Sequence, residues 1–221
     1  MNFPAGLFPL SWQLAAFALL GAVVLWAALT APWRRLADAD QSNVWLGSVV
    51  VLMLMWSMKA GVAPGLNMHL LGATALTLMF GRQLAILALC LVLAAVSFND
   101  GADWLSFGLN MLVMGLLPVF ASQVILQLVE RFLPAHMFVY IFAAAFFGAG
   151  LCVVAAGFLA TSLLWAAGAY TAEKLFTEYF PYYALMSFAE AWMNGGAITL
   201  MVVYYPTWVE SFDDRRYLKG H

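Results

Sequence analysis

Long apolar runs separated by short polar loops constrain this chain more than any other feature of its sequence. Only 9% of its residues are charged, whereas a soluble domain carries about 25%. The hydrocarbon core offers the backbone no water, and an α-helix satisfies its own hydrogen bonds within one segment. The runs also suit helices better than the shorter tilted strands of a barrel. The sequence therefore predicts a single all-α integral-membrane domain over residues 1–221, a polytopic helix bundle.

Loops and Gly/Pro turns divide the chain into about seven predicted spans. A crossing helix needs roughly 20 apolar residues, so the third and fourth runs are short and the sixth is longer than necessary. The expected count is therefore six to seven. The turn at residues 61–65 contains Pro64 and is predicted to break the chain before the third run. The expected spans are 10–31, 44–60, 66–80, 83–98, 104–129, 137–169 and 182–205.

The distribution of basic residues predicts the orientation of the chain in the membrane. Seven spans place the loop at 32–43 and the polar tail at 206–221 on one side, with seven basic residues against two on the other. Cytoplasmic loops are enriched in Lys and Arg. We therefore expect a multi-pass plasma-membrane protein with its N-terminus outside and a cytoplasmic tail. The seven residues are Arg34, Arg35, Arg82, Arg131, Arg215, Arg216 and Lys219, and the two are Lys59 and Lys174.

A few polar side chains within the apolar runs are the candidates for function. Glu190 is the one acidic residue inside a predicted span, and a buried carboxylate is expected to face the bundle interior or a cavity. It could orient a neighbouring helix through its backbone or stabilise a cation. His69 lies beside the Gly/Pro turn, where ligand and structural roles have similar weight. The other candidates, for which hydrogen bonding between helices is the simpler role, are Asn67, Asn110, Asn194, Gln123 and Thr74.

Methionine is frequent, and Met53, Met55, Met58 and Met68 flank the same turn. Thioethers suit soft metals such as Cu(I), although methionine is also common filler in apolar packing. The chain contains no HExxH, Walker A, GxSxG or CxxC motif. The sequence therefore predicts no enzyme, and any ATP-driven step needs a partner. A net charge of −2 gives no indication of a nucleic-acid partner.

Several blocks, in order along most of the chain, resemble the CbiM/NikM family. These are membrane substrate-capture components of energy-coupling-factor transporters for cobalt and nickel. The most specific block is HLLG after the Gly-rich turn, in VAPGLNMHLLGATALTLMFG. The others are MNFPAG, GRQLAILALCLVLAAVSFNDGA, FGLNMLVMGLLP with Asn110, and YYALMSFAEAWMNGG with Glu190. The resemblance implies the family's helix-bundle fold and, besides the lipid bilayer, a separate coupling membrane protein and ATPase subunits as partners.

The resemblance also implies a metal site near the outer face of the membrane. In the family, amino-terminal backbone nitrogens, a second-position histidine and the HLLG histidine hold the ion. The matching positions here are Met1, Asn2 and His69. A flat set of nitrogen donors suits Ni(II), Co(II) or Cu(II). Polar groups expected around the ion or along its path are Asn67, Asn110 and Glu190.

This chain departs from the family pattern where histidines or a second asparagine are expected. Asn2, Tyr183 and Val113 occupy those positions, and an amide is a poorer nitrogen donor than an imidazole. Three hypotheses follow. The leading one is the membrane component of a cobalt/nickel-type uptake transporter. The alternatives are a copper-binding variant that uses methionine, and a non-transport membrane subunit or scaffold that has lost metal capture.

Overall fold

The computed structural model describes residues 3–61, 63 and 65–217. Apart from one antiparallel pair of two-residue strands, β1 (Ala60–Gly61) and β2 (Asn67–Met68), the regular structure of these residues is helical. This confirms the predicted all-α fold class. The helices are α1 (Leu10–Thr30), α2 (Ala39–Ser57), α3 (Ala73–Asn99), α4 (Trp104–Phe132), α5 (Met137–Ala166), α6 (Ala172–Glu178), α7 (Phe180–Tyr204) and α8 (Asp214–Tyr217).

Four of these helices, α1, α3, α4 and α5, are long and apolar enough to cross a membrane by length and composition. Their outward faces carry large apolar side chains, such as Leu29, Phe98 and Leu151, which are 76%, 81% and 61% exposed. Lipid tails are as apolar as these side chains, so such faces suit a bilayer and not water. The observed helices lie within a few residues of the expected spans, except where the third and fourth runs meet.

The third and fourth runs form two helical arms of α3 that meet at Gly81, where the chain reverses direction. At the start of the arm before Gly81, Gly72 packs against Leu52, which lies toward the end of α2. This arm therefore runs antiparallel to α2. The arm after Gly81 runs parallel to α2, because Trp45, near the start of α2, donates from Nε1 to the Leu84 carbonyl at 3.2 Å. Gly81 has φ 74 and ψ 166, a conformation that only glycine adopts readily. The third run therefore supplies a short helical arm, 73–80, preceded by an extended segment.

Ion pairs mark the two ends of the bundle. At the amino-terminal end, Lys59 after α2 pairs with Asp100 after α3. At the carboxyl-terminal end, Arg35 after α1 pairs with Glu210 after α7 at 2.9 Å. The first and last described residues therefore lie at opposite ends. The basic residues predicted to share one side, Arg34, Arg35, Arg82, Arg131, Arg215 and Arg216, are at the carboxyl-terminal end, and Lys219 lies outside the described residues.

The segment after α7 packs back onto the bundle. The backbone N–H groups of Glu210 and Ser211 donate to the carbonyls of Met79 and Leu78 at 3.1 and 3.2 Å. These bonds satisfy carbonyls at the end of the 73–80 arm, where the helix breaks. Tyr217 is buried. The predicted polar tail is thus attached to the bundle through at least residue 217, and its cytoplasmic location stays a prediction.

Candidate metal-binding site

His69 lies in the extended segment between β2 and α3, and its imidazole is only 7% exposed. Its Nδ1 lies 3.0 Å from the carbonyl oxygen of Leu70. In the tautomer that donates this hydrogen bond, Nδ1 carries the proton and Nε2 carries the lone pair. Nε2 lies 3.2 Å from Sδ of Met114, in the π-helical stretch of α4. The second nitrogen of the ring therefore faces a soft donor inside the bundle.

Trp56 covers the imidazole from α2. The two ring centroids are 4.7 Å apart, with an interplanar angle of 43°. The indole is fixed in place because its Nε1 donates to the Leu71 carbonyl at 3.1 Å. Trp56 is 1% exposed. Trp56 thus covers the imidazole of His69 and also binds the backbone two residues after it.

Glu190 holds the same backbone from the opposite helix, α7. Its carboxylate accepts hydrogen bonds from the N–H groups of Leu71 and Gly72, at 2.8 and 2.6 Å, and from the amide of Asn194 at 2.9 Å. Asn194 Oδ1 in turn accepts from the Ala75 N–H at 2.8 Å. The N–H groups of Gly72 and Ala75 belong to the unpaired first turn of the 73–80 arm, and Leu71 directly precedes it; a negative charge at this position is also favoured by the helix dipole. Of the two roles considered from the sequence, these contacts are the ones expected of a carboxylate that orients a neighbouring helix through its backbone.

Asn110 of α4 anchors the start of the chain. Its Oδ1 accepts from the Phe3 N–H at 2.7 Å, and its Nδ2 donates to the Phe3 carbonyl at 3.3 Å. Gln13 holds the following residues, since its Nε2 donates to the carbonyls of Ala5 and Phe8, both at 2.9 Å. The amino-terminal segment is therefore fixed to the bundle by side chains of two helices.

The amino-terminal segment also packs on the turn that leads to His69. A Cβ atom added to Gly65 would lie 2.6 Å from Leu7 Cδ1 and 3.3 Å from Pro4 Cδ. The φ of Gly65, +77, is likewise one that glycine adopts readily. Met1 and Asn2 lie outside the described residues, so their convergence with His69 stays a prediction.

The remaining candidates have other positions. Asn67 lies in β2, with its side chain against Gly61, and is half-buried. The hydroxyl of Thr74 bonds to that of Ser122 at 2.7 Å. Tyr183, at a family histidine position, bonds through its hydroxyl to Tyr179 at 2.6 Å. Gln123 is half-buried on α4.

The sequence did not single out Trp56, which has no motif. Nor was Met114 among the predicted site residues. A usable signal for Met114 was its position four residues after Asn110, on the same face of a helix.

Within the described part of the chain, no group of three or more His, Cys, Asp or Glu side chains could hold a metal ion. A metal at His69 would therefore need donors of another kind. Among the described residues, the neighbour that supplies such a donor is Met114, whose thioether sulfur lies 3.2 Å from Nε2 of His69.

A cleft of about 780 Å³ lies between α2 and α7. Gly72 and Asn194 line it at the level of the Glu190 contacts, and Asp40 and Thr207 line it at the carboxyl-terminal end. Its wall also includes Met55, Met79, Met193 and Met201. His69 does not line this cleft.

The fold and the contacts define a class of protein: a polytopic helix bundle whose amino-terminal segment packs on the turn that leads to a buried histidine. The family model described as CbiM, cobalt uptake substrate-specific transmembrane region, matches residues 2–208. The chain belongs to this family, and it is accordingly a membrane component of metal uptake and not an enzyme.

Two crystal structures share the fold. One, described as a transition metal transporter, has a TM-score of 0.79 and 17% sequence identity, covering 92% of this chain and 93% of that chain. The other, described as a truncated transition metal transporter, has a TM-score of 0.77 and 18% identity, covering 92% of this chain and 99% of that chain. A comparison with curated protein sequences finds no match.

Proposed function

We propose that this chain captures a transition-metal ion, nickel or cobalt in the manner of its family, at His69 together with Met1 and Asn2. The observation that carries the proposal is the double hydrogen bond between Asn110 and the backbone of Phe3. It fixes the residue next to Asn2, while the following residues pack on the turn before His69. Two further residues can reach about 7 Å. In this proposal, the α-amino group and the Asn2 amide nitrogen bind the ion together with Nε2 of His69.

This donor set is weaker than one with two imidazoles. Asn2 contributes its backbone nitrogen, but its side-chain amide replaces the second ring. We therefore expect measurable but reduced affinity for Ni(II) and Co(II), which favour nitrogen donors. Asn110 would position the amino-terminal donors, and Glu190 would position His69 through the backbone. Asn67, at the amino-terminal end of the bundle, would lie near the entrance for the ion.

We also infer the orientation and partners of the chain. The basic carboxyl-terminal end faces the cytoplasm under the positive-inside rule, so the His69 segment opens toward the outside of the plasma membrane. Residues 206–221 then form a cytoplasmic tail. Since the chain has no nucleotide-binding motif, uptake would require a separate coupling membrane protein and ATPase subunits.

The test measures Ni(II) and Co(II) binding by calorimetry and by metal content of the protein purified in detergent. His69→Asn is expected to abolish binding, because it removes the imidazole. His136→Asn is the matched control: it removes a half-buried imidazole that caps α5, and asparagine can still serve as the cap. Two residues added before Met1 should also weaken binding, because they displace the α-amino nitrogen. Absence of metal above background in the wild type would overturn the proposal and favour a non-transport subunit that keeps the fold for packing.

A further inference from the structure

We infer that the pocket around His69 also takes a soft monovalent cation, Cu(I) or Ag(I), with Met114 as a thioether ligand. The inference rests on the proposed capture of a metal at His69 and adds a substrate class to it. It follows from three side chains of different elements: the imidazole of His69, the thioether of Met114 and the indole of Trp56.

The distance between the two donor atoms fits a shared ion. Metal bonds to imidazole nitrogen are about 2.0 Å and those to sulfur about 2.3 Å, so the tetrahedral angle open to a d10 ion such as Cu(I) separates the donors by roughly 3.5 Å. Nε2 of His69 and Sδ of Met114 are 3.2 Å apart. A displacement of a few tenths of an ångström by the flexible Met114 side chain brings the pair to that separation. The hydrogen bond from Nδ1 to Leu70 selects the tautomer in which Nε2 is the ligand nitrogen.

The surroundings favour a soft cation of low charge. Thioether sulfur and imidazole select Cu(I) among biological metals, whereas carboxylates and carbonyls suit harder ions. The carboxylate of Glu190 on α7 contacts this segment, but its oxygens already accept hydrogen bonds from the N–H groups of Leu71 and Gly72 and from Asn194. Trp56 adds an aromatic surface beside the donors, and an aromatic ring attracts a partly desolvated cation. Met114 itself is 1% exposed, which protects the ion from water.

The first experiment is an anaerobic titration of the detergent-purified full chain with Cu(I), in competition with a chromogenic Cu(I) chelator. Met114→Leu nearly conserves volume, so it removes the sulfur with little change in packing. We expect it to weaken Cu(I) binding at least about tenfold, the loss of one good ligand, while Ni(II) binding stays within about twofold. Met201→Leu, in the cleft between α2 and α7, is the matched control and should change neither affinity.

The second measurement is X-ray absorption of Cu(I)- or Ag(I)-loaded wild-type protein, which does not depend on the folding of a variant. A coordination sphere of the metal that contains sulfur together with nitrogen supports the inference, and a coordination sphere without sulfur overturns it. Binding of Ni(II) or Co(II) but not of Cu(I) or Ag(I) would also overturn it and leave the proposed function intact. Equal Cu(I) affinity in the wild type and Met114→Leu would likewise overturn the inference and leave the proposed function intact. Binding of no metal at all would overturn both proposals.

Discussion

The carboxylate of Glu190 accepts a hydrogen bond of 2.8 Å from the backbone N–H of Leu71, two residues after His69. On its other side, the carbonyl of Leu71 accepts from Trp56 Nε1 at 3.1 Å. One peptide segment is thus held from both α2 and α7. A histidine in an extended segment has no helix of its own to fix it, so these two contacts help to position the imidazole, together with its own contacts to Leu70, Met114 and Trp56.

Glu190→Gln is expected to destabilise the protein and loosen the His69 segment. The carboxylate faces three N–H donors, whereas a glutamine turns its own NH₂ group toward one of them and leaves it unpaired. An unsatisfied buried polar group costs about 1–3 kcal/mol, and the favourable interaction with the helix dipole is lost as well. Thermal unfolding in detergent should show a lower midpoint, and hydrogen exchange should rise in peptides covering 69–75. Glu178→Gln, at an exposed site on α6, is the control. Unchanged exchange in 69–75 would contradict the positioning role.

Asn110→Ala is expected to release the amino-terminal segment without unfolding the bundle. The substitution removes Oδ1, which accepts from the Phe3 N–H at 2.7 Å, and Nδ2, which donates to the Phe3 carbonyl. Exchange of the Phe3 N–H should therefore accelerate by about tenfold or more, since each net hydrogen bond contributes about 1 kcal/mol. Hydrogen exchange followed by mass spectrometry of residues 3–8 measures this, and Ni(II) affinity should fall in parallel. Asn43→Ala, at an exposed position on α2, should have neither effect. If exchange at residues 3–8 rises but Ni(II) affinity does not change, anchoring of the amino-terminal segment is not needed for metal capture.

The sequence predicted the helical class and most helix positions because hydrophobicity over about 20 residues is a strong signal in a membrane protein. α1, for example, was expected at 10–31 and is observed at Leu10–Thr30. The change of direction at Gly81 follows from the prediction of two separate spans, 66–80 and 83–98, because consecutive spans cross in opposite directions. Hydropathy did not predict that residues before Ala73 are extended and that the first arm is the short helix 73–80.

The site was predictable in its key residue but not in its contacts. His69 stood out as an imidazole beside a helix break, and Glu190 as a carboxylate inside a span. Their relationship was not visible, since Glu190 contacts backbone N–H groups 118 and 119 positions away in sequence. Backbone partners carry no side-chain signal. Trp56 was missed for the same reason, because its bond is to the carbonyl of Leu71.

Gly157→Ala tests the packing of α5 against α7. The added methyl would overlap the ring of Tyr183, which is buried and bonded to Tyr179. Overpacking of this kind costs about 1–3 kcal/mol, so we expect a lower unfolding midpoint with little change in metal affinity. Gly196→Ala on α7, where the new methyl meets nothing within 4 Å, is the matched control. Equal stability of the two variants would show that the helices separate at little cost.

Gly81→Ala tests the reversal between the two arms of α3, which the sequence predicted as two separate spans. Alanine at φ +74 is strained, and its Cβ would lie 2.9 Å from a carboxylate oxygen of Glu210. Backbone strain of this kind costs about 1–3 kcal/mol, and displacement of Glu210 also weakens its pair with Arg35. We expect a lower unfolding midpoint and faster exchange at 206–217, because that segment bonds to the carbonyls of the 73–80 arm. Gly21→Ala in α1 has open space and an ordinary helical backbone, so it should be neutral or slightly stabilising. If Gly81→Ala matched Gly21→Ala in both stability and exchange, the left-handed turn would not be what holds the tail against the bundle.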